Sequence, residues 1–195
     1  MKLHQFNHNS THCANAFTLI EMIGVLAVIA ILAALLIPKV TNAIDDSRIN
    51  NTLGSYEAAK LAVTDHYAKY NGFNLTTNGA VLASQDLLNF GNILMLEGLM
   101  DKPFSSKIGT NAALVVTPGN STGYLLDGTN NLTTNMTYVV SAAIAGVLPQ
   151  DAYAISTRLD GGHVPTLSPT VTTSGRCSYT NDGVNNILLM YLTGH

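Results

Sequence analysis

The sequence predicts an α+β protein: one long N-terminal helix, apolar in its first half and amphipathic in its second, packed on a small antiparallel sheet. Three observations predict it. Residues 17–38 read FTLIEMIGVLAVIAILAALLIP, an apolar run that carries a single charge, Glu21. Apolar side chains then recur at three- and four-residue steps as far as Tyr70, where Asn71-Gly72 stops the pattern. From about Leu114 the texture changes to short apolar or alternating runs separated by turn residues.

The apolar half, residues 17–37, is long enough to cross a bilayer. As a helix it rises about 32 Å at ~1.5 Å per residue, against a hydrocarbon core of ~30 Å. A carboxylate inside such a span costs roughly 2.5–3.5 kcal/mol on insertion scales, so Glu21 needs a partner or a role. One reading leaves it at the membrane edge, where the helix dipole favours an acid. A second starts from spacing. A cut before Phe17 would create an α-ammonium four residues ahead of Glu21, one helical turn away. The same ammonium could reach Glu21 of a neighbouring chain.

These residues carry a resemblance. Ala16-Phe17-Thr18-Leu19-Ile20-Glu21-Met22, followed by the apolar run and Pro38, resembles the class III leader and N-terminal segment of type IV pilin-like proteins. That family includes type IV pilins and the pseudopilins of type II secretion. Ala16 stands where the family usually has Gly. The resemblance implies residues 1–16 as a leader, cleavage between Ala16 and Phe17 by prepilin peptidase, and N-methylation of Phe17. It implies assembly roles for Glu21, which sets axial register, and for Pro38, which bends the stalk. It further implies a single-pass inner-membrane protein with its C-terminal domain outside the cytoplasm. The implied partners are copies of itself in a filament, other pilin-like subunits and an inner-membrane assembly platform. Orientation rests on the resemblance alone, because Lys2 lies on one side of the span and Lys39 and Arg48 on the other. A conventional secretory signal fits less well. The apolar run exceeds the usual ~7–15 residues, and Pro38-Lys39 precede the only cut candidate, Thr41-Asn42-Ala43.

Pro38 removes a backbone donor and is expected to kink a continuing helix rather than end it. In the amphipathic half, residues 38–70, the expected buried stripe is Val40, Ile44, Ile49, Leu53, Tyr56, Val63, Tyr67 and Tyr70. A connecting region, residues 71–113, follows. In it Ser84 can cap a short helix from Gln85 to about Leu96, with Leu87, Leu88, Ile93, Leu94 and Leu96 inward and Glu97-Gly98 as its end. The peptide Glu97–Phe104 also resembles a segment between helix and sheet in pseudopilin-like chains. Strands are expected at Leu114–Thr117, Tyr124–Leu126, Thr137–Ala143, Ala152–Leu159 and Ile187–Leu192, within a sheet region of residues 114–195. Short connections suggest an antiparallel meander.

Composition narrows the function. Charged residues are 11 % of the chain and the formal net charge is −3, which becomes −4 without a leader that holds Lys2 and no acid. No polybasic stretch exists, so no nucleic-acid partner is expected. Of the two cysteines, Cys13 falls in the leader, which leaves Cys177 as a buried thiol or an intermolecular contact. His4, His8 and His12, with Cys13, have metal-ligand spacing but sit in the leader. No Gly-x-Ser-x-Gly, His-Glu-x-x-His, P-loop or dinucleotide fingerprint occurs, so no enzyme and no cofactor is expected. Major pseudopilins often bind calcium in a C-terminal loop, and the candidates for that here are Asp151, Asp160 and Asp182. The leading expectation is a structural subunit of a type II secretion pseudopilus or type IV pilus-like filament. The alternative is a membrane-tethered domain that binds a secreted substrate or surface ligand without polymerising.

Overall fold

The computed structural model describes residues 17–72, 76–77, 80–81, 90–118, 124, 136, 138–161, 175–181 and 186–194. The chain divides into two compact units, Met1–Ala43 and Ile44–His195. Helix α1, Leu19–Tyr70, contributes to both. The described elements that follow are β1 (Thr76–Thr77), β2 (Ala80–Val81), α2 (Phe90–Leu96), β3 (Asn111–Pro118), β4 (Tyr138–Ala145), α3 (Pro149–Asp160), β5 (Cys177–Asn181) and β6 (Asn186–Gly194). The result is α+β, with a long N-terminal helix and a small antiparallel sheet of four strands.

In the first unit α1 is apolar on every face from Met22 to Ile37 and exposed throughout. Helix geometry continues through Pro38. The proline nitrogen cannot donate to the carbonyl four residues back. Just beyond it, the Thr41 hydroxyl donates to the carbonyls of Pro38 (3.0 Å) and Ile37 (3.3 Å), so this polar side chain is satisfied on its own helix.

In the second unit α1 buries Ile49, Thr52, Tyr56, Ala59, Ala62, Val63 and His66. The expected stripe is therefore only partly right. Val40, Ile44 and Tyr70 stay exposed, and Leu53 and Tyr67 are half-buried. Thr52 and His66 take places that hydropathy assigns to apolar residues. Both are buried because the fold supplies their polar partners. The Thr52 hydroxyl bonds to Arg48 O (3.0 Å) and to the Ser106 hydroxyl (3.1 Å). Nδ1 of His66 lies 2.6 Å from Glu97 Oε2, so this nitrogen donates to the carboxylate. His66 also meets the edge of the Phe90 ring at 5.2 Å.

The sheet has the order β3-β4-β6-β5, every pair antiparallel. This is not the expected meander, because β6 enters between β4 and β5. The composition of the strands explains the order. β6, NILLMYLTG, is long and apolar and suits the interior, whereas β5, CSYTN, is short and polar and suits an edge. Val140, Ala142, Ile144, Leu188, Met190 and Leu192 join the α1 stripe and Phe90, Ile93 and Leu94 of α2 in one core. The opposite face of β4 is covered at Ser141, whose hydroxyl accepts from Tyr124 at 2.8 Å. The Tyr124 ring lies edge-on to Tyr191, the cross-strand neighbour of Ser141.

The strand expected at Ala152–Leu159 is helix α3. Its ends were legible: Pro149 opens the first turn and Gly161, at φ 68°, closes the last. Ala152, Ile155 and Ser156 face the core at helical spacing. Arg158 then fixes α3 to α1, donating to Asn50 Oδ1 and Asp46 Oδ1, each at 2.6 Å. The expected helix at Gln85–Leu96 is described only over Phe90–Leu96, with Leu87 and Leu88 outside the described residues. Within it Ile93 and Leu94 are buried as expected, but Leu96 is 78 % exposed. Leu96 is displaced outward because the chain ends the helix at Glu97-Gly98, where Leu99 and Met100 N–H groups turn back to Leu94 O. Of the strand expected at Tyr124–Leu126, only Tyr124 is described.

Two glycines separate backbone freedom from space. Gly98 and Gly109 both hold positive φ, 72° and 73°. A Cβ on Gly98 meets nothing within 4 Å, whereas one on Gly109 would collide with the Ala145 carbonyl oxygen. Gly98→Ala should cost about 1–2 kcal/mol through backbone strain alone. Gly109→Ala should cost a further ~1–3 kcal/mol because the backbone must shift. Equilibrium denaturation of the two variants checks the order; equal losses would contradict it.

Candidate functional site

Among the described residues of the first unit, one arrangement can be used by chemistry, at the start of α1. Thr18 precedes the helix and Glu21 sits in its first turn. Glu21 Oε2 accepts from the Thr18 N–H and from the Thr18 hydroxyl, both at 2.8 Å. In return the Glu21 N–H donates to Thr18 Oγ1 at 3.3 Å. This is a reciprocal capping box of the Thr-x-x-Glu kind. It exists because a helix leaves its first N–H groups without partners and the residue three positions on can reach back. The sequence reading weighed Glu21 against a terminal ammonium and overlooked Thr18. The signal was present as Thr18-Leu19-Ile20-Glu21 ahead of an apolar run.

The box occupies one oxygen of the carboxylate and leaves the head exposed. Phe17, Glu21, Gly24, Val25, Val28 and Ile29 share one face of the helix and line a shallow, open groove of about 520 Å³. Three- and four-residue steps create that face. Gly24 lowers its floor, since nothing lies within 4 Å of where its Cβ would be. The acid thus stands at the end of an apolar furrow, one turn from Phe17. A helix laid along the furrow would bring whatever charge it carries at that level onto Glu21.

The other residues singled out from sequence are spread over the chain. Ala16, on the leader side of the expected cut, lies outside the described residues, as do Cys13 and the leader histidines. Pro38 is seventeen residues beyond Glu21, about 25 Å along the helix, and belongs to a different level of it. Asp151 and Asp160 occupy the first and last turns of α3, roughly 13 Å apart by helical rise. That separation prevents them from sharing one ion. Asp151 is pushed above the usual carboxylate range by partial burial and by the neighbouring Asp45. Asp160 accepts from the Arg176 N–H at 2.9 Å. Asp182 lies outside the described residues. Among the described residues no three His, Cys, Asp or Glu side chains form a metal-binding group.

Residues 12–37 match the family model described as the prokaryotic N-terminal methylation motif. The chain carries a prepilin-type N-terminus. The capping box and the furrow both fall inside the matched residues. This signature, with one helix among the described residues whose most apolar 18-residue stretch has mean hydropathy 2.8, fits a type IV pilin-like precursor with a single membrane anchor. It implies prepilin peptidase processing and pilin-type assembly in general. The family is structural rather than enzymatic. No curated protein and no solved structure matches the chain, so the prepilin-type assignment rests on residues 12–37.

Cys177, the cysteine outside the leader, is buried and free. Burial pushes its thiol far up, and the nearby Asp160 adds to the effect. Below the ordinary thiol value of 9.0 the folded and unfolded chains both hold the proton, so stability is unaffected. Above it only the unfolded chain releases the proton, and the fold loses stability as pH rises. Cys177→Ala should flatten the alkaline limb of the stability–pH curve, measured by urea denaturation from neutral pH to beyond pH 9.0. An unchanged slope would contradict the assignment. For the capping box, Thr18→Val should accelerate amide hydrogen exchange in the first turn of α1 in nanodiscs, and Thr18→Ser should not.

Proposed function

We propose that the chain is the precursor of a filament subunit, cut between Ala16 and Phe17, methylated on Phe17, and assembled through the first turns of α1. The observation that carries this reading is the furrow with Glu21 at its end. A carboxylate held by its own helix cap is tolerable at the membrane, yet its second oxygen is left for another partner. Cleavage would place a new ammonium at Phe17, on the same face and one turn away. When helices pack side by side, that ammonium of one subunit can meet Glu21 of the next. In the apolar core of a bundle such a pairing is strong and sets the axial register. Backbone groups along the stalk are already bonded within the helix, so moving from lipid to filament leaves them satisfied. Pro38 supplies the place where the stalk can bend or extend.

Within this class a type II secretion pseudopilus is favoured over a surface-displayed pilus. Two features support that preference: the modest sheet domain, and a processed chain with Cys177 alone and no C-terminal cysteine pair. The C-terminal domain would lie outside the cytoplasm and face outward from the filament, where it meets other pilin-like subunits. The assembly platform of the inner membrane would feed the stalk into the filament.

Glu21→Ala should leave the protein inserted and processed while filament incorporation falls to background, measured by shearing or cross-linking of assembled filaments. Normal incorporation would favour the non-polymerising tether. Mass spectrometry of the membrane-extracted protein should show an N-terminal methylated Phe17; retention of Ala16 in the functional protein would falsify the processing step.

A further inference from the structure

A second site lies in the other unit, where α1 crosses the sheet at the start of β5. Strand β6 carries one extra residue opposite β4: Val140 pairs with Thr193 and Ser141 with Tyr191, which leaves Leu192 as a bulge. On its other side, β6 pairs with β5 only up to Cys177 and Met190. One residue further the two chains exchange a last bond, from the Tyr191 N–H to Arg176 O at 2.7 Å. The Tyr191 carbonyl points to the same side and finds no strand there. The Tyr56 hydroxyl of α1 donates to it instead, at 2.6 Å. Helix and sheet are thereby tied beside the bulge, and a cavity of about 170 Å³ opens between them, lined by Tyr56, Lys60, Arg176, Tyr191 and Leu192.

Two cations face this cavity on a rigid frame. Lys60 stands one helical turn after the fully buried Tyr56. Arg176 is held at both backbone atoms, its N–H by Asp160 Oδ1 and its carbonyl by Tyr191. Among the described residues neither cation makes an ion pair. Asp160 turns its Oδ1 to the Arg176 backbone. Burial raises the Tyr56 hydroxyl; Arg176 opposes the rise, and Glu57 and Asp160 add to it.

We propose that this cavity binds a small oxyanion, a carboxylate or phosphate, bridged between the Lys60 ammonium and the Arg176 guanidinium. Arginine offers a planar fork to such a group and lysine a point charge, and charge-assisted bonds of this kind are the strong ones. The oxyanion is either free or the end of an acidic side chain on a partner. The site does not depend on filament formation, because all five lining residues belong to one chain.

The test uses the full chain in uncharged detergent micelles. Inorganic phosphate and N-acetylglutamate amide are titrated separately, with the side-chain nitrogen resonances of Arg176 and Lys60 as readout. Saturable shifts of both resonances are expected. Tighter binding of phosphate marks a free anion as the ligand, and tighter binding of the glutamyl compound marks a partner side chain. Lys60→Gln and Arg176→Gln should each weaken binding about tenfold, the size expected for losing a charge-assisted hydrogen bond. Arg176→Lys should retain part of it, and Lys102→Gln, an equal loss of charge at an exposed position elsewhere, should leave it unchanged. Absence of saturable shifts with both compounds, or equal weakening in Lys102→Gln, would overturn the proposal. Unaltered thermal midpoints in the Gln variants exclude loss through unfolding.

Discussion

The structure depends first on how one carboxylate is accommodated at the head of a membrane-length helix. Glu21 is satisfied locally, by the amide and hydroxyl of Thr18, before any other chain is present. That local solution matters for a helix long and apolar enough to cross a membrane. An acid without a partner there carries a large desolvation cost, and a helix N-terminus without a cap leaves donors unsatisfied. One pair of side chains removes both problems. The solution is also incomplete in a useful way. It uses one carboxylate oxygen and leaves the group at the end of an exposed apolar furrow, where a packed helix would compete for it.

The second unit follows a different logic. Its core forms because one stripe of α1, the inner faces of β4 and β6, and the short helix α2 bury each other. Small residues, Ala59 and Ala62, let the helix approach, and polar residues are admitted only where the fold provides a partner. The Tyr56–Tyr191 bond is the clearest case. It joins helix to sheet where strand pairing ends, so that a backbone carbonyl at the mouth of a cavity is not left unbonded. His66 and Glu97 do the same work at the other end of the stripe, tying α1 to the chain that leaves α2. These polar ties specify how far along the helix the sheet sits, which a purely apolar stripe would define loosely.

Where sequence reading failed, the cause was local ambiguity. Ala152–Leu159 has an apolar content compatible with either periodicity, and the flanking Pro149 and Gly161 were needed to decide for a helix. β5 escaped notice because Cys177–Asn181 is short and polar and takes its strand form from pairing with β6. The order of the strands was equally hidden, since antiparallel neighbours can be joined either directly or by way of an excursion such as α3. At the candidate site the Thr-x-x-Glu signature is contiguous, Thr18 to Glu21, and so is legible in the sequence.

By itself the sequence determined the apolar half of α1, its acid and proline, the prepilin-type N-terminus and the α+β class. Those features are local: they follow from hydropathy, from spacing along one helix and from a contiguous motif. Tertiary structure alone decided which face of α1 is buried, why Thr52 and His66 belong to it, and that β6 is central. It alone brought Lys60 and Arg176, distant in the chain, to one cavity. Such outcomes depend on partners supplied by residues far away in sequence, and burial of a polar or charged group has no local signature until those partners are in place.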